Sequence, residues 1–195
     1  TRLMVLDMST VPADNYSREV VIDETRRSYR LNLDGLVVPK ENLLQGSDFQ
    51  SLESAALLML CAEISGGLMG VLPVIVEYLN TRKAFDRLIG SYQALKHPTV
   101  DILMSLEGAR SHLYHASTLF SQGKYPEFQS AIRMAKAQGS EAFAFAGDRA
   151  VQFHGGFGFT YECDAQLFLR RALWCQYQFG DERYHRQWLA GALFD

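Results

Sequence analysis

The chain has 195 residues, 48% hydrophobic and 21% charged, with 19 Lys and Arg against 22 Asp and Glu for a net charge of −3. That balance is typical of a globular protein with a real core, so it excludes intrinsic disorder, and the slight acidity leaves no basic field for nucleic acid. Three cysteines, Cys61, Cys163 and Cys175, with no C-x-x-C pair exclude a disulfide framework and a zinc ribbon, and imply a reduced setting, cytoplasmic by default.

In chain order, residues 1 to about 45 carry short runs rich in branched and aromatic residues: Leu3 to Leu6, Glu19 to Asp23 and Tyr29 to Asp34. Pro12, Asp14-Asn15 and Asp34-Gly35 separate them. Such runs with turn punctuation predict strands. Three or so short strands do not readily form a domain alone, so they read as the end of a sheet whose other strands lie elsewhere.

From about residue 50 the period changes. Leu52 to Arg82 is apolar nearly all round, as in a helix at the centre of a bundle. Its longest uncharged run, between Glu63 and Glu77, is shorter than the roughly 20 residues that span a bilayer, so no membrane helix is expected. Ile102, Leu106, Ala109, Leu113, Ala116 and Phe120 place a stripe on one face of a second helix. Ile132, Ala135, Gly139, Ala142, Ala146, Ala150 and Phe153 do the same on a third, whose small residues permit close approach. Breaks fall at Gly90, at Gly123 to Pro126 and at Gly155 to Gly158. Shorter helices follow from about Ala165 to Cys175 and from Asp181 to Leu193. Long helices with short connections predict an antiparallel bundle.

Two segments have chemical potential. Arg82 to Gln93 ends a helix with a guanidinium able to clamp phosphate, although cations there also suit the helix dipole and Gly90 also reads as a stop signal. Gln152 to Thr160 holds three glycines within four residues, which lets backbone approach a ligand, or makes a plain interhelical turn. Glu162 is placed to pair with a nearby arginine. His112 and His115 lie one turn apart without a matching carboxylate or thiol, so no metal site is expected. Cys61 reads as a small buried hydrophobe.

Taken together, residues 82–93 (RKAFDRLIGSYQ), residues 152–162 (QFHGGFGFTYE), Arg170-Arg171 and the late Gly180, in this order, resemble the carboxyl-terminal half of the acyl-CoA dehydrogenase family. The Asp34-Gly-Leu-Val-Val-Pro39 stretch resembles the family's passage from its middle β-domain into its helical domain. The resemblance implies a mainly α fold, an antiparallel four-helix bundle preceded by a few strands of an incomplete β-domain. Residues 1–48 would end the β-domain and residues 49–195 would form the bundle.

The resemblance further implies FAD bound where two subunits meet. Arg82, with Phe85 beside it, and Gln93 match positions that reach the neighbouring subunit's cofactor; Gln152, Gly155 and Gly156 match positions along its ADP part. Asp86 departs from the family's usual glycine and puts the local turn in question. The implied reaction removes an α-proton of an acyl-CoA with a carboxylate base while a hydride leaves the β-carbon for the flavin.

The base positions depart from the pattern. Phe179 stands where the family usually has glutamate, and the alternative position, on the first helix, is Ala56, followed by Leu57 where relatives often have arginine. Asp181, Glu182 and Glu53 are the carboxylates that a shifted backbone would have to bring in. The leading expectation is an FAD-binding acyl-CoA dehydrogenase-like subunit without its own base, completing a partner's flavin site within a homo- or hetero-tetramer. An acyl-CoA thioester is then the substrate, held by this subunit or its partner, and an electron-transfer flavoprotein an acceptor that the family allows. The alternatives are an active dehydrogenase with a relocated carboxylate and a non-enzymatic helical interaction subunit.

Overall fold

The computed structural model describes residues 3–44 and 49–194. Five helices dominate it: α1 (Phe49–Thr81), α2 (Gln93–Ser121), α3 (Tyr125–His154), α4 (Ala165–Tyr177) and α5 (Glu182–Phe194). The first three run 33, 29 and 30 residues, and the 13-residue α4 completes the four-helix bundle, with α5 packed on α3.

The hydrophobic spacing read from the sequence is what assembles these helices. Leu57, Cys61, Ile64, Leu68, Val71, Ile75 and Leu79 form the buried stripe of α1, and all seven stripe residues expected on α3, from Ile132 to Phe153, are buried. On α2 the stripe is Ile102, Leu106, Ala109, Ala116 and Leu119. Leu113 and Phe120 are only partly buried and flank it. One core cluster joins Leu57 and Cys61 to Leu119 and to Phe128, Ile132 and Ala135; the other reaches from Leu60 to Leu79, Ala150 and Phe153. The beginning of α1 therefore meets the beginning of α3 and the end of α2, which makes α1 and α3 parallel and α2 antiparallel to both.

Glycines set the closest helix approaches. A methyl group at Gly147 would lie 2.8 Å from the Leu169 Cα, so α3 and α4 cross there nearly backbone to backbone. By length and composition α1 is able to cross a membrane. Its buried stripe packs against α2, α3 and α4, while Met59, Met69 and Val76 on the same helix stand exposed.

The amino-terminal part differs from the expectation. Among the described residues its ladder is a single antiparallel pair, β1 (Tyr16–Glu19) with β2 (Ser28–Leu31), Tyr16 opposite Leu31. Leu3 to Leu6 is not a strand: Met4 makes an isolated bridge to Leu43. The Val20 to Ile22 run forms a loop, with Val20 98% exposed, and Val37 is 90% exposed, while Val11 and Asp23 are the fully buried residues of this part. Branched apolar residues without a sheet to cover them cannot hold extended pairing. The expected domain boundary after residue 48 falls in residues 45–48, outside the described residues.

What fastens this part to the bundle is ionic. Arg171 of α4 hydrogen-bonds the buried Asp23 and, at 2.5 Å, Glu63 of α1. Arg26 also pairs with Glu63 and stacks over Trp174 at 3.8 Å. Burial alone would raise the Asp23 carboxyl, but hydrogen bonds from Thr25 and Arg171 hold it below the ordinary carboxylate value. Arg170 pairs with Glu24 at 3.1 Å rather than with Glu162.

Candidate functional site

The two segments singled out in the sequence meet at one end of the bundle. Beyond α1 the chain makes a two-residue hairpin, β3 (Lys83–Ala84) with β4 (Arg87–Leu88). Its turn residues, Phe85 and Asp86, have φ of 53° and 60°. Two left-handed residues in succession give the tight hairpin turn that matches strand twist, and Asp tolerates that region, so Asp86 closes the turn without glycine. Ile89 N–H donates to the Arg82 carbonyl at 2.9 Å and Tyr92 OH to the Ala84 carbonyl at 3.1 Å, which brings Arg82 and Gln93, the first residue of α2, back to the same end.

Gly90 does not end a helix. α1 stops at Thr81, and Gly90 is required because a methyl group there would stand 2.7 Å from the Leu79 carbonyl oxygen.

The glycine turn lies alongside. Tyr78, four residues before Arg82, stacks on His154 with ring centroids 4.0 Å apart, and the His154 ring is held by the Ala150 carbonyl at 2.7 Å. Gly155 caps α3 at φ 60° and ψ −141°, a region essentially closed to other residues. A methyl group at Gly155 or Gly156 would meet nothing within 4 Å, so both present bare backbone outward. Gln152, Arg82, Gln93 and Phe85 are all exposed here, Phe85 at 91%. The structure thus gathers all six residues expected at a cofactor on one surface.

The two base positions lie at the other end. Ala56 is half-buried on the second turn of α1, and Phe179 sits in the α4–α5 turn at φ 57°, 46% exposed. A groove of about 720 Å³ between the β segment and α4, lined by Arg26, Trp174, Tyr177 and Gln178, ends one residue before it. The three alternative carboxylates are engaged. Asp181 accepts from the Tyr184 N–H at 2.9 Å and caps α5; Glu182 accepts from Gln176 at 3.0 Å; Glu53 lies 4.0 Å from Arg133.

Beneath this turn is a buried polar cluster that the sequence reading missed. Lys136 of α3 is completely buried, and its Nζ donates to Ser140 Oγ at 2.9 Å, the Gln176 carbonyl at 3.0 Å and the Gly180 carbonyl at 2.8 Å. Burial pushes its ammonium below the ordinary lysine value, with the Glu182 and Asp181 carboxylates opposing. The Cys61 and Cys175 thiols are pushed up to about 12, chiefly by burial, so they stay protonated and inert. His185, also fully buried, has Nδ1 3.4 Å from Arg133 and lies against the Phe179 and Gly180 backbone, where its Nε2 makes no hydrogen bond of ordinary geometry. The signal that would have found this cluster is a lysine at a core position between Ile132, Ala135 and Gly139. Among the described residues no His, Cys, Asp and Glu group could hold a metal ion.

Comparison with known proteins relates the chain to one family. Residues 55–194 match the family model for the acyl-CoA dehydrogenase carboxyl-terminal domain. The acyl-CoA dehydrogenase IpdE2 of Mycolicibacterium smegmatis is 35% identical over 136 residues, covering 70% of this chain and 41% of that protein. A chain from the structural study of the electron transferring flavoprotein of Acidaminococcus fermentans superposes with a TM-score of 0.87 at 27% identity, over 100% of this chain and 52% of that one. Butyryl-CoA dehydrogenase of Megasphaera elsdenii shares the fold with a TM-score of 0.87 at 23% identity over the same shares. The chain spans about half or less of the length of the proteins it matches.

Proposed function

The chain belongs to the acyl-CoA dehydrogenase family, and from that premise we propose that it serves an FAD-dependent acyl-CoA dehydrogenase as a subunit that completes a neighbouring subunit's flavin site while lacking a base of its own. The observation that carries this reading is a separation. Ala56 and Thr81 are 25 residues apart on the unbroken α1, about 38 Å at the helical rise of 1.5 Å per residue. That is further than one extended dinucleotide reaches. The Arg82 and Gly155 surface and the Ala56 position of one chain would therefore serve different cofactor molecules, and Phe179 lies on the Ala56 side, since Lys136, which grips its turn, stands 18 residues or about 27 Å before His154 on α3.

The surface fits the group. Bare backbone at Gly155 and Gly156, open where a side chain would stand, suits close approach by a pyrophosphate, and the exposed Arg82 guanidinium supplies opposite charge. Gln93 and Gln152 add amide donors at the same rim. When bound, FAD supplies the hydride acceptor for α,β-dehydrogenation of an acyl-CoA thioester. At the opposite end, Phe179 and Ala56 cannot accept the α-proton. Asp181, Glu182 and Glu53 are tied to α5, Gln176 and Arg133, which counts against a relocated base.

The test uses the full-length protein, purified alone and with a homologous subunit bearing the base, its visible spectrum recorded before and after anaerobic addition of acyl-CoA thioesters. The expected result is flavin that bleaches only in the mixed assembly. Bleaching by the protein alone at ordinary turnover refutes the loss of the base.

A further inference from the structure

We propose that Lys136 is a positioning residue: its buried ammonium clamps the α4–α5 turn through the Gln176 and Gly180 carbonyls and thereby fixes where the side chain of residue 179 stands. The inference rests on the reading of position 179 given above and deepens it. The turn needs such a device. Phe179 at φ 57° is a bulky residue in the left-handed region, which persists only where the surroundings over-determine it, and Gly180 follows at φ 98°.

The local sequence does not supply that constraint. α4 ends at Tyr177, and α5 begins only at Glu182, so residues 179 and 180 lie between two helices with no ladder of their own. Lys136 reaches them from α3, gripping one carbonyl before residue 179 and one after it, at 3.0 and 2.8 Å. Its remaining bond, to Ser140 Oγ, orients the ammonium from the same helix. The neighbouring helix closes the turn sterically, since a methyl group at Gly180 would stand 2.3 Å from the Tyr184 ring. The hydrogen bonds that hold the turn thus run through main chain, and the phenyl ring of residue 179 has no polar atom to add to them. The clamp would place a carboxylate at position 179 as it places the phenyl ring.

Two measurements on the full-length protein test this separately. In Lys136→Met, which keeps the stem and removes the donors, hydrogen exchange of the 176–184 backbone should rise about tenfold or more while exchange in the core of α1 and α3 is unchanged. Unchanged exchange in the turn overturns the clamp. Lys136→Gln, which retains one short donor, should give an intermediate rise and serves if the methionine variant does not accumulate; an unaltered turn there likewise overturns it. In the second measurement, Phe179→Glu should confer acyl-CoA-dependent flavin bleaching. Adding Lys136→Met should then cut the rate at saturating acyl-CoA about a hundredfold, the cost of a misplacement on the order of 1 Å, with flavin content and half-saturating concentration preserved. An undiminished rate in the double variant overturns the positioning role. If Phe179→Glu bleaches nothing while the exchange result holds, the reading of position 179 as the base position fails and the clamp stands.

Discussion

His185 offers a prediction whose size follows directly from its surroundings. The imidazole is completely buried on α5, between Arg133 and Lys136. Burial first, and then those two cations, push its pKa from the ordinary 6.5 down to about 4, against the Phe179 and Gly180 backbone, which favours the charged form. The folded pKa lies below the unfolded one, so as pH falls the unfolded chain takes up the proton first. The contribution of a neutral His185 is complete above about pH 6.5, drains away between about 6.5 and 4, and levels off below. A shift of about 2.5 units at 1.36 kcal/mol per unit makes it about 3 kcal/mol. Urea unfolding of wild type and His185→Gln, followed by far-ultraviolet circular dichroism at about pH 7 and about pH 4, isolates this quantity. Carboxylates that titrate in the same window are common to both proteins and cancel in the double difference. Wild type should lose about 3 kcal/mol more than the variant over that interval. Equal losses would refute the assignment of a depressed, buried imidazole.

Three further outcomes follow from the packing. Gly66 and Gly67 are neighbours on α1 with opposite surroundings. A methyl group at Gly66 meets nothing within 4 Å, so Gly66→Ala should stabilise the helix by about 1 kcal/mol. At Gly67 it would fall 2.2 Å from the fully buried Phe143 ring, so Gly67→Ala should destabilise by about 1–2 kcal/mol; urea midpoints moving in the same direction would contradict the packing. Arg171→Leu strips the buried Asp23 of its hydrogen-bonded cation and should cost about 3 kcal/mol at neutral pH, the low end for a broken buried pair because Arg171 keeps part of its surface in water and Arg26 stays 4.0 Å away. That loss should shrink as pH falls through the Asp23 titration, and trypsin should then cut faster around Arg26 and Arg27. Gly156→Leu in the full-length protein should weaken FAD retention about tenfold or more, about 1.4 kcal/mol, measured from bound flavin absorbance after dialysis; unchanged retention removes Gly156 from the cofactor surface.

The helices were legible because burial imposes a period that sequence records: the seven α3 stripe positions from Ile132 to Phe153 are all buried. The strands were less so. Val20 and Ile22 carry the composition of a strand but stand exposed in a loop, since β propensity expresses fit to a covered, pleated surface that the described residues do not provide. The hairpin at Phe85 and Asp86 was not legible either, because it relies on two non-glycine residues accepting positive φ. At the site, the Arg82 and Gly155 segments were singled out by a family resemblance rather than by their own composition, and the structure brings them to one end of the bundle. The Lys136 clamp stayed hidden because its partners are carbonyls 40 and 44 residues away, and a carbonyl leaves no mark in the residue alphabet.

That same fact bears on how a subunit can lack its base and keep its fold. Were the α4–α5 turn held by the side chain at position 179, replacing a carboxylate with phenyl would cost both chemistry and structure. Here the turn is held from α3 by Lys136 and from α5 by Asp181, which caps that helix through the Tyr184 N–H. Phe179 keeps 46% of its surface exposed and its ring takes no part in the hydrogen bonds that hold the turn. Chemistry at this position is therefore separable from stability. The residues that carry stability nearby supply no substitute base, since Arg133 is already protonated and Lys136 and His185 are completely buried. A subunit built this way retains the surface at Arg82 and Gly155 intact whether or not it can abstract a proton at the other end of α1.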